Sequence, residues 1–210
     1  MAIKQENKNT GKKEEILQSA MELLLEKGYS ATSTNDICAA AKINKPTLYY
    51  YFKSKRHLFF ELHKKHIQEV LKPYLARVAA IEDPWERLTF IIREFTKIVC
   101  HHPELRVLTH ESMSIKDAFF ERIRKEWKKH YLLLRDTISQ LQAKRTIPPN
   151  LKPSWVALLI LGMITWITFW FDYNRKGRMD EIAETALQLI LFGLIEKKDA
   201  PAINRRKGIQ

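Results

Sequence analysis

Apolar residues recur at three- and four-residue spacing along nearly the whole chain, while glycine, which most often interrupts such runs, occurs only six times in 210 positions. That period lines apolar side chains along one face of a helix, whereas a half-buried strand alternates every second residue. No alternating run competes, so the expected fold class is all-α. Helix ends can then be read from capping chemistry. The first helix is expected from about Lys12 to Lys27, with Ile16, Ala20, Leu23 and Leu24 inward and Gly28 as its stop. Ser33, followed three residues later by Asp36, makes a capping box that opens a short second helix with Ile37 inward. A third helix starts at Asn44 or Lys45 with Pro46 in its first turn, where a missing N–H is tolerated. Ser54 opens a fourth, reaching about Lys72, where Pro73 should end or kink it.

The second half continues in the same manner. Asp83-Pro84-Trp85-Glu86 is a helix start for a segment reaching about Cys100, and Pro103 opens a shorter one. A long amphipathic helix from about Lys116 to Lys144 carries Phe119, Phe120, Ile123, Trp127, Leu134, Ile138 and Leu141, and Pro148-Pro149-Asn150 closes it. An apolar helix from about Ser154 to Phe171 follows. A loop through Gly177 leads to a last helix, expected to be capped by Asp180 and to run to about Lys197. The expected organisation is a disordered basic arm (1–11), a three-helix module (12–55), a larger helical domain (56–198) and a disordered tail (199–210).

Charge narrows the choice of partner. The formal net charge is +12, and between Asp36 and Glu61 there is no acidic residue, while Lys42, Lys45, Lys53, Lys55 and Arg56 are basic. A polyanion is the natural partner of such a surface. Only Cys38 and Cys100 are present, without CxxC or Cys/His metal spacing, so no disulfide framework is expected, and the polar N-terminus has no signal-peptide character. These features fit the cytoplasm. Trp155 to Phe171 carries no ionisable side chain but is short of the ~20 residues a span requires. It reads as a buried bundle helix; a basic, membrane-associated helical protein is the competing class.

Ser33 to Phe52 has the layout of a helix-turn-helix, two short helices whose second enters the major groove. Gly28-Tyr29, Ser33-Thr34-Asn35-Asp36-Ile37, Ala41 to Phe52 and Ser54-Lys55 together resemble the DNA-binding module of TetR-family regulators over roughly residues 12 to 60. The resemblance implies that Ile37, Leu48 and Phe52 are core and that Thr34 holds a phosphate. It also implies that Asn44, Lys45, Pro46 and Thr47 lie at the DNA face, with Tyr49 and Tyr50 on base methyls or backbone, Tyr51 on a phosphate and Lys55 adding a further phosphate contact. Two positions depart from the pattern: Lys42 stands where many relatives have a turn glycine, and Pro46 removes a backbone N–H that could reach a phosphate.

The last two helices are apolar on more than one face, which a monomer could not bury, so they are expected to pair with a second copy. A twofold dimer sets its reading heads about 34–36 Å apart and matches a palindromic operator. By the same resemblance the larger domain binds a small hydrophobic effector, with Phe95, Met113, Phe119, Trp127, Trp166, Phe169 and Trp170 as candidate walls. The aromatic spacing of Gly162 to Phe171 is similar to TetR-type regulators of lipid metabolism, some of which respond to acyl-coenzyme A thioesters. The implied function is a repressor released by its effector; an activator of the same fold is the alternative. His63, His66 and the Cys100-His101-His102 run have no catalytic or metal motif around them, so neither enzyme activity, cofactor nor metal is expected.

Overall fold

The computed structural model describes residues 2–114, 118–174 and 178–194, which contain ten α-helices and no strand. The first three are α1 (Ala2–Ala31), α2 (Thr34–Ala40) and α3 (Lys45–Tyr51). Helix α1 extends back to Ala2, so the segment read as a disordered arm continues the helix instead. Gly28, at φ 79° and ψ 169°, breaks α1 where expected; a side chain there would be strained. Ile16, Ala20 and Leu24 pack against Ile37, Leu48 and Phe52, which close a small three-helix core. The expected tail, 199–210, lies outside the described residues, as does Gly177.

The caps follow the sequence closely. Ser33 Oγ accepts from the Asp36 N–H at 3.1 Å and the Asp36 carboxylate accepts from the Ser33 N–H at 2.8 Å, the reciprocal pair of a capping box. Between α2 and α3, Ile43 N–H donates to the Cys38 carbonyl and Lys42 N–H to that of Ala39, with Lys42 at φ 51°. This is the helix-ending pattern that glycine usually serves. Lys42 adopts the left-handed conformation without the glycine of many relatives. Lys42→Gly is therefore expected to raise stability by about 0.5–1 kcal/mol, the relieved left-handed cost exceeding the added chain entropy. Chemical denaturation midpoints of the two proteins check this.

A connector rises from this module: α4 (Lys55–His66), a π-helical stretch (Ile67–Leu71) and α5 (Lys72–Ala79) form one continuous rod. Pro73 neither ends nor sharply stops it. A proline cannot donate to the carbonyl four residues back and its ring crowds that carbonyl. The preceding wide turn is the kind of bulge that relieves such a clash.

The larger domain is built from α6 (Pro84–His101), α7 (Glu104–Ser114), α8 (Ala118–Ala143), α9 (Pro153–Trp170) and α10 (Met179–Leu194). Helices α6, α8 and α9 pack mutually, and α10 lies along α6. Asp83 caps α6 as expected, accepting from the N–H groups of Trp85 and Glu86. Asp180 does not cap α10: it lies inside the first turn, and its carboxylate pairs with Lys97 of α6 at 2.7 Å. Helix α9 buries only Val156, Ala157, Ile160, Ile164 and Thr168, one stripe of its surface. It is long and apolar enough to cross a membrane by length and composition, with mean hydropathy 1.6, yet only 22% of it is buried. The expectation of a helix buried on two sides is thus met on one side only within a single chain.

Candidate DNA interface and effector cavity

The outward face of α3 is set by its inward one. Leu48 and Phe52, four residues apart, are 2% and 1% exposed and fix the roll of the helix against α1 and α2. Lys45, Pro46, Tyr49 and Tyr50 then fall on the solvent side, with Tyr49 49% and Tyr50 73% exposed. Large aromatic rings held in water on a helix whose core is already satisfied are available to a partner. Tyr51 is half-buried and meets Tyr50 edge-on, with ring centroids 5.0 Å apart, so it steadies Tyr50.

Asn44 and Thr47 are tied to each other. The Asn44 side-chain oxygen accepts from both the Thr47 N–H at 2.9 Å and the Thr47 hydroxyl at 2.6 Å, making Asn44 the cap of α3. Its amide NH₂ remains the group that can face DNA. Pro46 occupies the second helical position, where its N–H is not missed by the helix. Thr34 is half-buried at the first position of α2. Asp36, in the same turn, is held below the usual carboxylate range mainly by its hydrogen bond from the Ser33 backbone.

Lys55 departs from its expected role. Its ammonium donates to the carbonyls of Tyr29 at 2.5 Å and Thr32 at 2.6 Å and lies 4.2 Å from the centroid of the Tyr29 ring. A cation at the end of α1 satisfies carbonyls that have no helical donor. Two of its three N–H donors are therefore engaged inside the module rather than reaching a phosphate. The sequence offered no sign of this, because the pairing spans 26 residues and depends on how α4 crosses α1.

In the larger domain two expected wall residues do meet around a cavity. Phe95 and Trp127 line a space of about 140 Å³ together with Val99, Leu105, Thr109, His130, Leu161, Thr165 and Thr168. His130 is buried and its ring nitrogen lies 3.0 Å from the Tyr74 hydroxyl. Burial pushes the His130 pKa down to about 4, so the ring is neutral at neutral pH. Sequence reasoning passed over His130 and the threonines, which supply the polar groups of an otherwise apolar pocket.

Trp166, Phe169 and Trp170 do not join that cavity. They are 57%, 39% and 77% exposed on the outer face of α9. Trp166 and Trp170 border a separate surface groove of about 400 Å³ with Met163, Ile167 and Ile182. Phe169 sits edge-on against His110, with ring centroids 3.9 Å apart. Helical phase explains the split: Ile160, Ile164 and Thr168 form the inward row, and these aromatics lie off it. The side chains of Met113 and Phe119 lie outside the described residues.

The architecture and motif have clear counterparts. Residues 16–62 match the model described as "Bacterial regulatory proteins, tetR family", and residues 82–194 match "Tetracyclin repressor-like, C-terminal domain". The uncharacterized HTH-type transcriptional regulator YvdT of Bacillus subtilis is 28% identical over 155 residues, covering 74% of this chain and 79% of its own. The crystal structure of AibR in complex with isovaleryl coenzyme A and operator DNA is 26% identical, with TM-score 0.77, over 85% of this chain and 97% of that one. KstR2 of Mycobacterium tuberculosis, a ketosteroid transcriptional regulator, shares the fold at 22% identity, with TM-score 0.79, over 88% of this chain and 95% of that one. With both halves of the chain matched in order and the helix-turn-helix in place, the chain belongs to the TetR family of helix-turn-helix, DNA-binding transcriptional regulators.

Proposed function

We propose that the chain is a cytoplasmic, homodimeric transcriptional repressor that reads a palindromic operator with α3 and leaves it when a compact hydrophobic effector of acyl-coenzyme A type binds the larger domain. The observation that carries the DNA half of this reading is the outward face of α3: Lys45, Pro46, Tyr49 and Tyr50 in a basic, acid-free segment, locked in roll by Leu48 and Phe52. Lysine supplies phosphate contacts and the tyrosine rings suit thymine methyls and sugars.

The dimer reading rests on what α9 and α10 leave uncovered. Leu158, Leu159 and Trp170 on α9, and Leu189 and Phe192 on α10, are each more than half exposed. So extensive an apolar surface on a soluble regulator calls for a cover, and a second copy supplies one of the same shape by twofold symmetry. Leu159→Lys with Phe192→Lys is expected to convert the dimer to a monomer at micromolar concentration by sedimentation and to lose operator binding. An unchanged dimer would remove this interface from the reading.

The effector reading rests on the cavity around Phe95, Trp127 and His130, with AibR's likeness bearing on the ligand class alone, since that structure holds isovaleryl coenzyme A and operator DNA together. At about 140 Å³ it is well below the ~300–1,000 Å³ typical of clefts for drug-sized ligands. A short branched acyl group matches that volume better than a long chain. A ligand releases DNA only by favouring a dimer whose heads are wrongly spaced. The α4 rod is the lever, since Phe59 packs on Phe120 of α8 at 5.9 Å and the His63 ring lies 2.7 Å from the Leu108 carbonyl of α7.

The test couples both halves. DNA selected from a random pool by the protein would be titrated with it across acyl-coenzyme A thioesters from butyryl to stearoyl. Expected are an inverted-repeat consensus and release by the shorter thioesters. Selection without a repeat, or binding indifferent to every thioester, would sink the corresponding half. A reporter that rises when the gene is deleted distinguishes a repressor from an activator.

A further inference from the structure

We propose that His66, His102 and Glu104 form a binding site for one divalent transition-metal ion of the zinc class, placed where the connector rod meets the larger domain. His66 closes α4, His102 ends α6 and Glu104 opens α7, so three elements contribute one ligand each. One potential ligand atom from each of the three lies within 4.8 Å of the others. They line the wall of a groove of about 420 Å³ bounded by Leu17 and Met21 of α1 and by Lys65 and Glu69 of the rod.

The donor set and spacing fit the ion. Two imidazoles and one carboxylate with an open position are a recurrent zinc set, and imidazole also suits nickel, cobalt and copper. With metal–ligand bonds of about 2.0–2.1 Å, tetrahedral neighbours stand about 3.3 Å apart. His66 Nδ1 is 3.3 Å from Glu104 Oε1, and His102 Nδ1 is 2.7 Å from the same oxygen. The second separation must open by about half an ångström, and the ligand atoms of the two histidines lie within 4.8 Å of each other. The groove offers the fourth position to water.

His66 is 5% exposed, and its Nδ1 is the ring nitrogen turned toward the Glu104 carboxylate. Both rings converge on one carboxylate oxygen, an economical arrangement for holding two imidazoles ready around a shared cation. Lys65, which lines the same groove, is paired with Glu14 and, at 3.9 Å, with Glu69.

Position gives such an ion a consequence. It would pin the end of α4 to the α6–α7 corner, and His66 also stacks on Trp127 with ring centroids 6.5 Å apart and planes 18° from parallel. Trp127 lines the internal cavity. The ion would therefore bias the same rod that the effector is proposed to move, while its binding requires neither DNA nor effector.

The experiment is calorimetric titration of Zn²⁺ into the intact, chelator-treated protein, with Co²⁺ absorption as a report on nitrogen ligation. Expected is one ion per chain, lost in His102→Ala and weakened at least tenfold in Glu104→Gln, together with a rise in Tm on saturation in the parent only. Glu104→Gln keeps size and hydrogen bonding, so it decides the matter even if His102→Ala folds poorly. Absence of binding in the parent, or binding of undiminished affinity in a folded Glu104→Gln variant, overturns the site and leaves a hydrogen-bonded histidine pair.

Discussion

Replacing Lys45 and Tyr50 together by alanine is expected to weaken operator binding by about a thousandfold or more while leaving the helical spectrum and the dimer unchanged. Contacts of this kind are each worth about 1–3 kcal/mol, and a twofold dimer loses both of them at each half-site. Neither side chain belongs to the buried core: Lys45 is exposed at the first position of α3, and Tyr50 is 73% exposed. The two should separate on inspection. Lys45→Ala alone should lower affinity across all sequences and flatten the salt dependence, because a phosphate contact releases a counterion. Tyr50→Ala alone should relax preference at one base step in each half-site. The measurement is a fluorescence-anisotropy titration at several salt concentrations; retention of parent affinity and sequence preference in the double variant would exclude α3 as the reading helix.

A second large effect is expected on lowering the pH. His63 and His130 are both buried, and burial is the main cause holding each near pKa 4 against about 6.5 in an unfolded chain; for His63 the bond to the Leu108 carbonyl works in the opposite direction. Because the folded pKa is the lower one, the unfolded state binds protons first as pH falls. Stability is therefore complete above about pH 6.5, declines between 6.5 and 4, and is flat below for these two groups. Each shift corresponds to about 3 kcal/mol, so together they remove a large share of a typical 5–15 kcal/mol. Urea denaturation at pH 7.5 and pH 4.5, with chelator present, checks this. Equal midpoints, or imidazole proton resonances of the folded protein titrating near 6.5 at both sites, would contradict it.

How far the sequence reached depended on the range of the interactions involved. Ser33 with Asp36, Asn44, Ser54 and Asp83 were legible as caps because each acts on N–H groups two or three residues away. The inward rows of α1, α3 and α8 were legible because one period governs them. Asp180 misled, since its carboxylate is drawn to Lys97 on another helix. The partners of Lys55 were hidden for the same reason, being carbonyls 26 and 23 residues back in the chain. On α9, which is apolar all round, periodicity could not say which aromatics face the chain's own core; Trp166 and Trp170 looked equivalent to Trp127 until neighbours fixed the phase. The ring of His66 was visible only as a histidine on one helical side, because its companions come from residues 36 and 38 positions later.

The π-helical stretch between α4 and α5 bears on how such a regulator can diverge. An α-helix advances about 100° per residue, and a wide turn carries one residue more than the regular turn it replaces. The extra residue within Ile67–Leu71 is therefore absorbed in one wide turn, and the head keeps its phase around the rod axis relative to the body. Deleting that one residue would leave every side chain of the head and every wall of the cavity untouched. It would return the wide turn to a regular one with little change of phase, so lineages can lose or gain the bulge while keeping their half-site spacing and their operators.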